Sequence, residues 1–212
     1  MQKKILLLTI ILILLTGCVK IDKNNQDYSK YVVNSLKDKS ITNNVALGHK
    51  YYLPRGVKKI KDYDYNQKFL VGDTYLYMFV DINSYYYKSK LKKDSDTNDY
   101  YYQQISYDGK TGYIKITKKN DKYFTKILYN YAKIEFYSDY DNINKLLTIS
   151  SIILNSVDYN KKVIEKVVDE SLGSSKEFTY EIEKPIDASN NFSQYLEEYV
   201  TEESEEEELP DE

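Results

Sequence analysis

Cysteine occurs once in the 212 residues, at Cys18. One thiol cannot close an intramolecular disulfide or build a thiolate metal site, so the fold must hold by packing. Histidine also occurs once, at His49. Any Ser-His-Asp or Cys-His arrangement would have to use that residue, and neither immediate neighbour is Ser or Asp. Tryptophan is absent, proline numbers 3 and glycine 7. There is no Gly-rich phosphate loop and no G-x-S-x-G or H-E-x-x-H motif. Transition-metal centres want several His or Cys ligands. The sequence therefore assigns no catalytic residue, no metal ligand and no cofactor.

Long apolar runs are also scarce. Residues 5–15 form one, broken only by Thr9; it follows Lys3 and Lys4 and ends in Leu15-Thr16-Gly17-Cys18. A spanning helix needs about 20 apolar residues, so this run reads as the h-region of a secretory signal. The charged head, the apolar run and the Leu-Thr-Gly-Cys end resemble the signal peptide and lipobox of bacterial lipoproteins. The resemblance implies cleavage between Gly17 and Cys18 and acylation of Cys18, palmitate included. It also implies a mature protein anchored in the cell membrane on its extracytoplasmic face. Two acyl signals suffice for stable anchoring where one chain is marginal.

Aromatic character falls on tyrosine, with 25 residues beside 6 phenylalanines. Hydrophobic residues at 42% and charged residues at 30% place the chain among globular proteins. Net charge is −3, unevenly spread. From Glu197 to Glu212 there are ten acidic side chains and no basic one, whereas Cys18 to Ser138 hold 22 Lys and Arg against 13 Asp and Glu. A basic body outside the cell faces anionic headgroups and wall polymers, an attraction screened beyond about 8 Å. Nucleic acid is not an expected partner of an exported chain.

Residues 1–17 read as signal peptide, 18–26 as a lipidated tether and 27–200 as a single α+β domain. Residues 201–212 are expected to be a disordered acidic tail. Asn24-Asn25 can cap a helix, and Tyr28, Tyr31, Val32 and Leu36 predict one over 27–37. Residues 39–44 read as loop. Strands are expected over 50–53, 57–61, 65–71 and 74–81, the last apolar on both faces and so covered on both. Residues 82–88 are expected to continue that strand past a bend at Asn83-Ser84; a polar loop over 91–99 and strands over 100–107, 112–118, 123–128 and 131–137 follow. Asp108-Gly109 marks a hairpin.

The periodicity then turns helical. Asp139 or Asp141 can cap a helix to about 157, and a second spans 161–170. Phe178, Tyr180 and Ile182 alternate as a strand, and 191–200 reads as a short helix. Antiparallel strands followed by helices give the fold class α+β, a twisted antiparallel sheet with helices packed against it. Residues 129–137, the acidic cap and Ile153-Leu154-Asn155-Ser156-Val157 resemble the end of PsbP-like α/β sandwiches, including the DcrB-like lipoproteins. That likeness implies an accessory or assembly role.

Three other features bear on function. Asp94-Ser95-Asp96-Thr97-Asn98-Asp99 begins like a calcium loop, but Asp99 and Ile105 stand where the template needs Gly and Glu. Carboxylates such as Asp62, Asp64 and Asp73 could serve glycosidase chemistry if a pair converged. The trios Tyr85-Tyr86-Tyr87 and Tyr100-Tyr101-Tyr102 flank the polar loop, and on strands at least one ring of each would face outward. Exposed tyrosines beside Lys88 and Lys90 suit a protein interface or a glycan platform. The reading that follows is a lipid-anchored protein with a non-catalytic binding or accessory role in the cell envelope. Its partners would be the membrane, through Cys18, and an envelope protein or an anionic wall polymer. The rival readings are a hydrolase of envelope glycans and a purely structural surface protein.

Overall fold

The computed structural model describes residues 26–171. The expected signal peptide, Cys18, the tether up to residue 25, the strand over 178–182, the helix over 191–200 and the acidic tail lie outside the described residues. In chain order the elements begin with α1 (Tyr28–Leu36), β1 (Asn44–Ala46), β2 (His49–Tyr51), β3 (Val57–Tyr63), β4 (Asn66–Val71) and β5 (Thr74–Val80). There follow α2 (Ile82–Tyr86), β6 (Tyr101–Tyr107), β7 (Lys110–Lys119), β8 (Lys122–Tyr129), β9 (Ala132–Ser138), α3 (Ile143–Asn155), β10 (Asp158–Tyr159) and α4 (Lys161–Ser171).

Tight turns set the topology. Asp108-Gly109 and Asn130-Tyr131 each place two residues at positive φ, the geometry of a two-residue hairpin. Tyr131 holds φ +64, where a bulky side chain is rare. Hairpins build two antiparallel meanders, β3-β4-β5 and β6-β7-β8-β9. The pairing of β5 with β9 joins them in the order β3-β4-β5-β9-β8-β7-β6. The strand after β5 therefore lies four places away, roughly 19 Å at about 4.8 Å per strand. Residues 81–100 must cover that distance across the sheet.

Alternation sorts the two faces. Phe69, Leu76, Met78, Ile114, Ile116, Ile127, Ile134 and Phe136 are buried on one face. Against it lie Tyr28, Val32 and Leu36 of α1 and Ile143, Leu146, Leu147, Ile153 and Leu154 of α3, all in one core. In α3 these positions, with the buried Ser150 and Ser151 between them, keep a spacing of three or four residues, the stripe a half-buried helix needs. The result is an α+β architecture, a seven-stranded antiparallel sheet with α1 and α3 on one face. A small sheet, β1-β2-β10, closes one end; Tyr51 packs on Phe69 with ring centroids 5.8 Å apart. Its turn residue Gly48, φ +77, lies against Ile164 of α4, so a side chain there would be strained and crowded.

Several expectations are corrected. The segment 82–88 is not a strand: Asp81 accepts a 2.8 Å hydrogen bond from the Ser84 amide and starts α2. Neither Asp139 nor Asp141 caps α3 with its side chain. A 3-10 turn, Tyr140–Asn142, precedes that helix, and Asp139 pairs with Lys122 at 2.9 Å instead. The cap of α1 is Asp27, which accepts from the Ser29 amide, rather than Asn24-Asn25. Strand 50–53 is His49–Tyr51, and α3 ends at Asn155. β1 starts inside the expected loop over 39–44, and β10 falls where α3 was expected to end.

Candidate functional site

The tyrosine trios do not form a shared platform. On α2, Tyr85 stacks on Tyr159 at 3.9 Å and meets Tyr131 edge-on at 5.9 Å, with Lys88 Nζ 3.9 Å above its ring. Tyr86 and Tyr87 pair edge to face, and Tyr87 alone of the six is mostly exposed, at 65%. Tyr100 abuts Tyr123, Tyr101 packs edge-on against Tyr28 at 5.0 Å, and Tyr102 stacks on Tyr113. The Tyr101 hydroxyl accepts from the Ser29 amide and donates to Asp27 Oδ1. These rings mostly fasten elements to one another.

A different surface forms on the face opposite α1 and α3. Strand register lines up Lys68, Tyr77, Glu135, Lys126, Lys115 and Tyr102 in one row across six strands. The connection from α2 to β6 crosses this face, and beneath it lies a cleft of about 700 Å³. Phe79, Leu91, Leu128, Tyr113 and Tyr131 supply apolar wall; Lys90, Lys92, Lys93, Lys110, Lys126 and Lys133 also line it, against only Asp81 and Asp94. Lys90, Lys92 and Lys93 are exposed and Lys110 half-buried, with no carboxylate partner for any of them among the described residues. The lining thus carries a surplus of positive charge beside aromatic and aliphatic carbon.

One carboxylate organises the floor. Asp94 Oδ2 accepts from the Tyr113 hydroxyl at 3.1 Å and from Lys126 Nζ at 3.2 Å, and Oδ1 accepts from Lys115 Nζ at 3.3 Å. Burial pushes the Asp94 carboxyl up, but Lys126, Tyr113 and Lys115 together hold it below the ordinary carboxylate range. Lys126 also meets Glu135 at 3.2 Å, which in turn meets Lys133 at 3.1 Å; Lys115 meets Asp99 at 3.7 Å.

Of the other sequence candidates, only Asp99 reaches this floor, through Lys115. Asp96 accepts from the Asn98 amide, and Asp99 accepts from the Asp96 amide and Thr117. Asp94 and Asp99 share Lys115, whereas Asp96 is held within its own turn, so the three acids of the calcium-like stretch do not converge on one point. No cluster of three or more metal-ligating side chains occurs among the described residues. Asp62 pairs with Lys59 at 2.6 Å, and Asp64 sits in the β3–β4 turn. Asp73 lies in the turn at the other end of the six-residue β4, roughly 20 Å away along the strand. Paired glycosidase carboxylates stand about 5–10 Å apart.

His49 is buried, 1% exposed, and stacks on Tyr51. Its Nδ1 lies 3.1 Å from the Leu47 carbonyl, so Nδ1 carries the proton and donates. Nε2 has no partner among the described residues. Burial pushes the imidazole pKa down, and the Leu47 carbonyl and Asp62 only partly oppose it. The unfolded chain therefore binds a proton near pH 6.5 that the folded chain refuses. Stability should be fully present above about pH 6.5 and fall as pH drops below it, by at most about 1.4 kcal/mol per unit. Guanidinium titrations between about pH 7 and 5 should show this fall, and His49→Gln should abolish the slope. Equal stability of the wild type at both ends would contradict the argument.

No protein-family model, no curated protein and no solved structure matches this chain. The PsbP-like resemblance thus rests on residues 129–157 alone. Of the cleft lysines only Lys90 is named from the sequence, as a neighbour of the exposed tyrosines. A signal was there: Lys115, Lys126, Lys133 and Glu135 occupy outward positions of strands whose alternate residues are apolar.

Proposed function

We propose that the protein is a lipid-anchored, extracytoplasmic, non-catalytic binding protein of the cell envelope, and that its cleft takes an anionic wall polymer. The observation that carries this reading is the excess of lysine around an apolar-walled cleft on the face of the sheet opposite α1 and α3. A repeating anionic polymer suits such a lining, because each charge contact is weak at an exposed site and many are needed. The Leu15-Thr16-Gly17-Cys18 end of the apolar run supports the anchoring half of the proposal.

The test reverses charge where the fold does not depend on it. Changing Lys90, Lys92, Lys93 and Lys110 together to Glu should leave the thermal melt near wild type, because none has a carboxylate partner among the described residues. Affinity for a glycerol phosphate oligomer should fall about a hundredfold at low salt, as four weak attractions become repulsions. Unchanged affinity in a folded variant would remove the cleft from the account.

A further inference from the structure

Lys115 and Lys126 stand directly opposite each other in the β7–β8 register. Like charges in that relation repel and destabilise the pair. The structure relieves the repulsion with an anion between them: Asp94 touches both lysines and the Tyr113 hydroxyl. The three donors belong to the sheet, and both lysines keep a second carboxylate partner, Asp99 or Glu135, that holds them in place without Asp94. Asp94 itself comes from the crossing connection. Among the described residues, Asp94 carries the hydrogen bonds from residues 90–98 to the sheet. Its side chain is 41% exposed, so solvent ions reach it.

We infer that Tyr113, Lys115 and Lys126 form an oxyanion subsite at the floor of the cleft, filled in the free protein by the Asp94 carboxylate, which a charged group of the ligand displaces. The inference rests on the cleft being the ligand site and adds which group binds where. The ligand unit is an oxyanion, phosphate or carboxylate, that accepts the same three hydrogen bonds. Its arrival frees residues 90–98, which carry Lys90, Lys92 and Lys93, from the sheet. No covalent step is involved; one anion replaces another.

The experiment uses the protein purified from membranes in a non-ionic detergent. A glycerol phosphate oligomer and a glutamate oligomer of matched charge are titrated into wild type, Asp94→Asn and Asp96→Asn. Asp96 is the control: it is exposed, two residues from Asp94, and hydrogen-bonds only within its own turn. Asp94→Asn should raise affinity about tenfold for the preferred oligomer, and Asp96→Asn by less than twofold. The better-bound oligomer says whether phosphate or carboxylate is the source. Amide hydrogen exchange supplies the second readout: bound oligomer should speed exchange at residues 90–98 of the wild type and leave β7 and β8 protected. Equal gains in the two variants would reduce the effect to net charge and overturn the inference. So would wild-type binding that leaves exchange at residues 90–98 unchanged, although the cleft would remain the ligand site. Failure of wild type and Asp94→Asn alike to bind either oligomer would overturn both readings.

Discussion

Replacing Gly112 by alanine should destabilise the fold by about 3–5 kcal/mol and lower Tm by roughly 10 °C. Gly112 lies in β7 opposite Tyr129 of β8 and Ile105 of β6. A β-carbon there would run into the Leu128 carbonyl and the Tyr129 backbone. These are main-chain atoms of the neighbouring strand, so no rotamer change relieves the clash; β7 and β8 must part. Tyr129 adds to the constraint. Its hydroxyl donates to the Tyr107 carbonyl of β6 at 2.8 Å, so the side chain crosses over β7 where glycine leaves room. The residue is fully buried, and burial raises its hydroxyl pKa to about 12. Gly109 is the internal comparison. It has positive φ but open space around it, so alanine there should cost only about 1 kcal/mol. A Gly112→Ala melt within about 2 °C of wild type, less than 1 kcal/mol for a chain of this size, would contradict the packing described.

The second large effect is expected at Cys18. If the lipobox resemblance holds, the acyl chains on Cys18 carry the firm attachment to the membrane; no described helix is long and apolar enough to cross one. Cys18→Ala, expressed in the native host and fractionated, should lose the acyl adduct and the tight membrane association that survives high-salt washing. The basic cleft could still hold the variant loosely to anionic surfaces, but salt should release that fraction. A variant as firmly bound as wild type, or a wild-type Cys18 without acyl mass, would sink the lipoprotein reading.

Much of the sheet was legible because alternation is a local signal. Ala132, Ile134 and Phe136 face the core and Lys133 and Glu135 do not, and the chain writes that period plainly. The helices α3 and α4 were legible for the same reason at the longer period. The tyrosine-rich stretch after Val80 was not. Its residues suit strand or helix equally, and the decision rests on one capping bond from Ser84 to Asp81. β10, two residues long, has no periodicity to read; it exists because Asp158 and Tyr159 pair with Lys50 and His49. The cleft is a product of topology. Only when β6 is known to lie at the far edge does residue 94 come to rest over Lys115 and Lys126. Sequence distances of 21 and 32 residues hide those contacts.

The sheet face opposite α1 and α3 is proposed to bind a polyanion through its lysines. The most direct measurement is a titration of the detergent-solubilised protein with a glycerol phosphate oligomer, followed by amide chemical shifts at about 50 and 200 mM salt. The account predicts that shifts concentrate at Lys90, Lys92, Lys93, Lys110, Lys126 and Lys133. It also predicts that affinity falls about fiftyfold or more between the two salts, as about four released counterions require. Shifts confined to α1 and α3, salt-independent affinity, or no binding at the lower salt would contradict it.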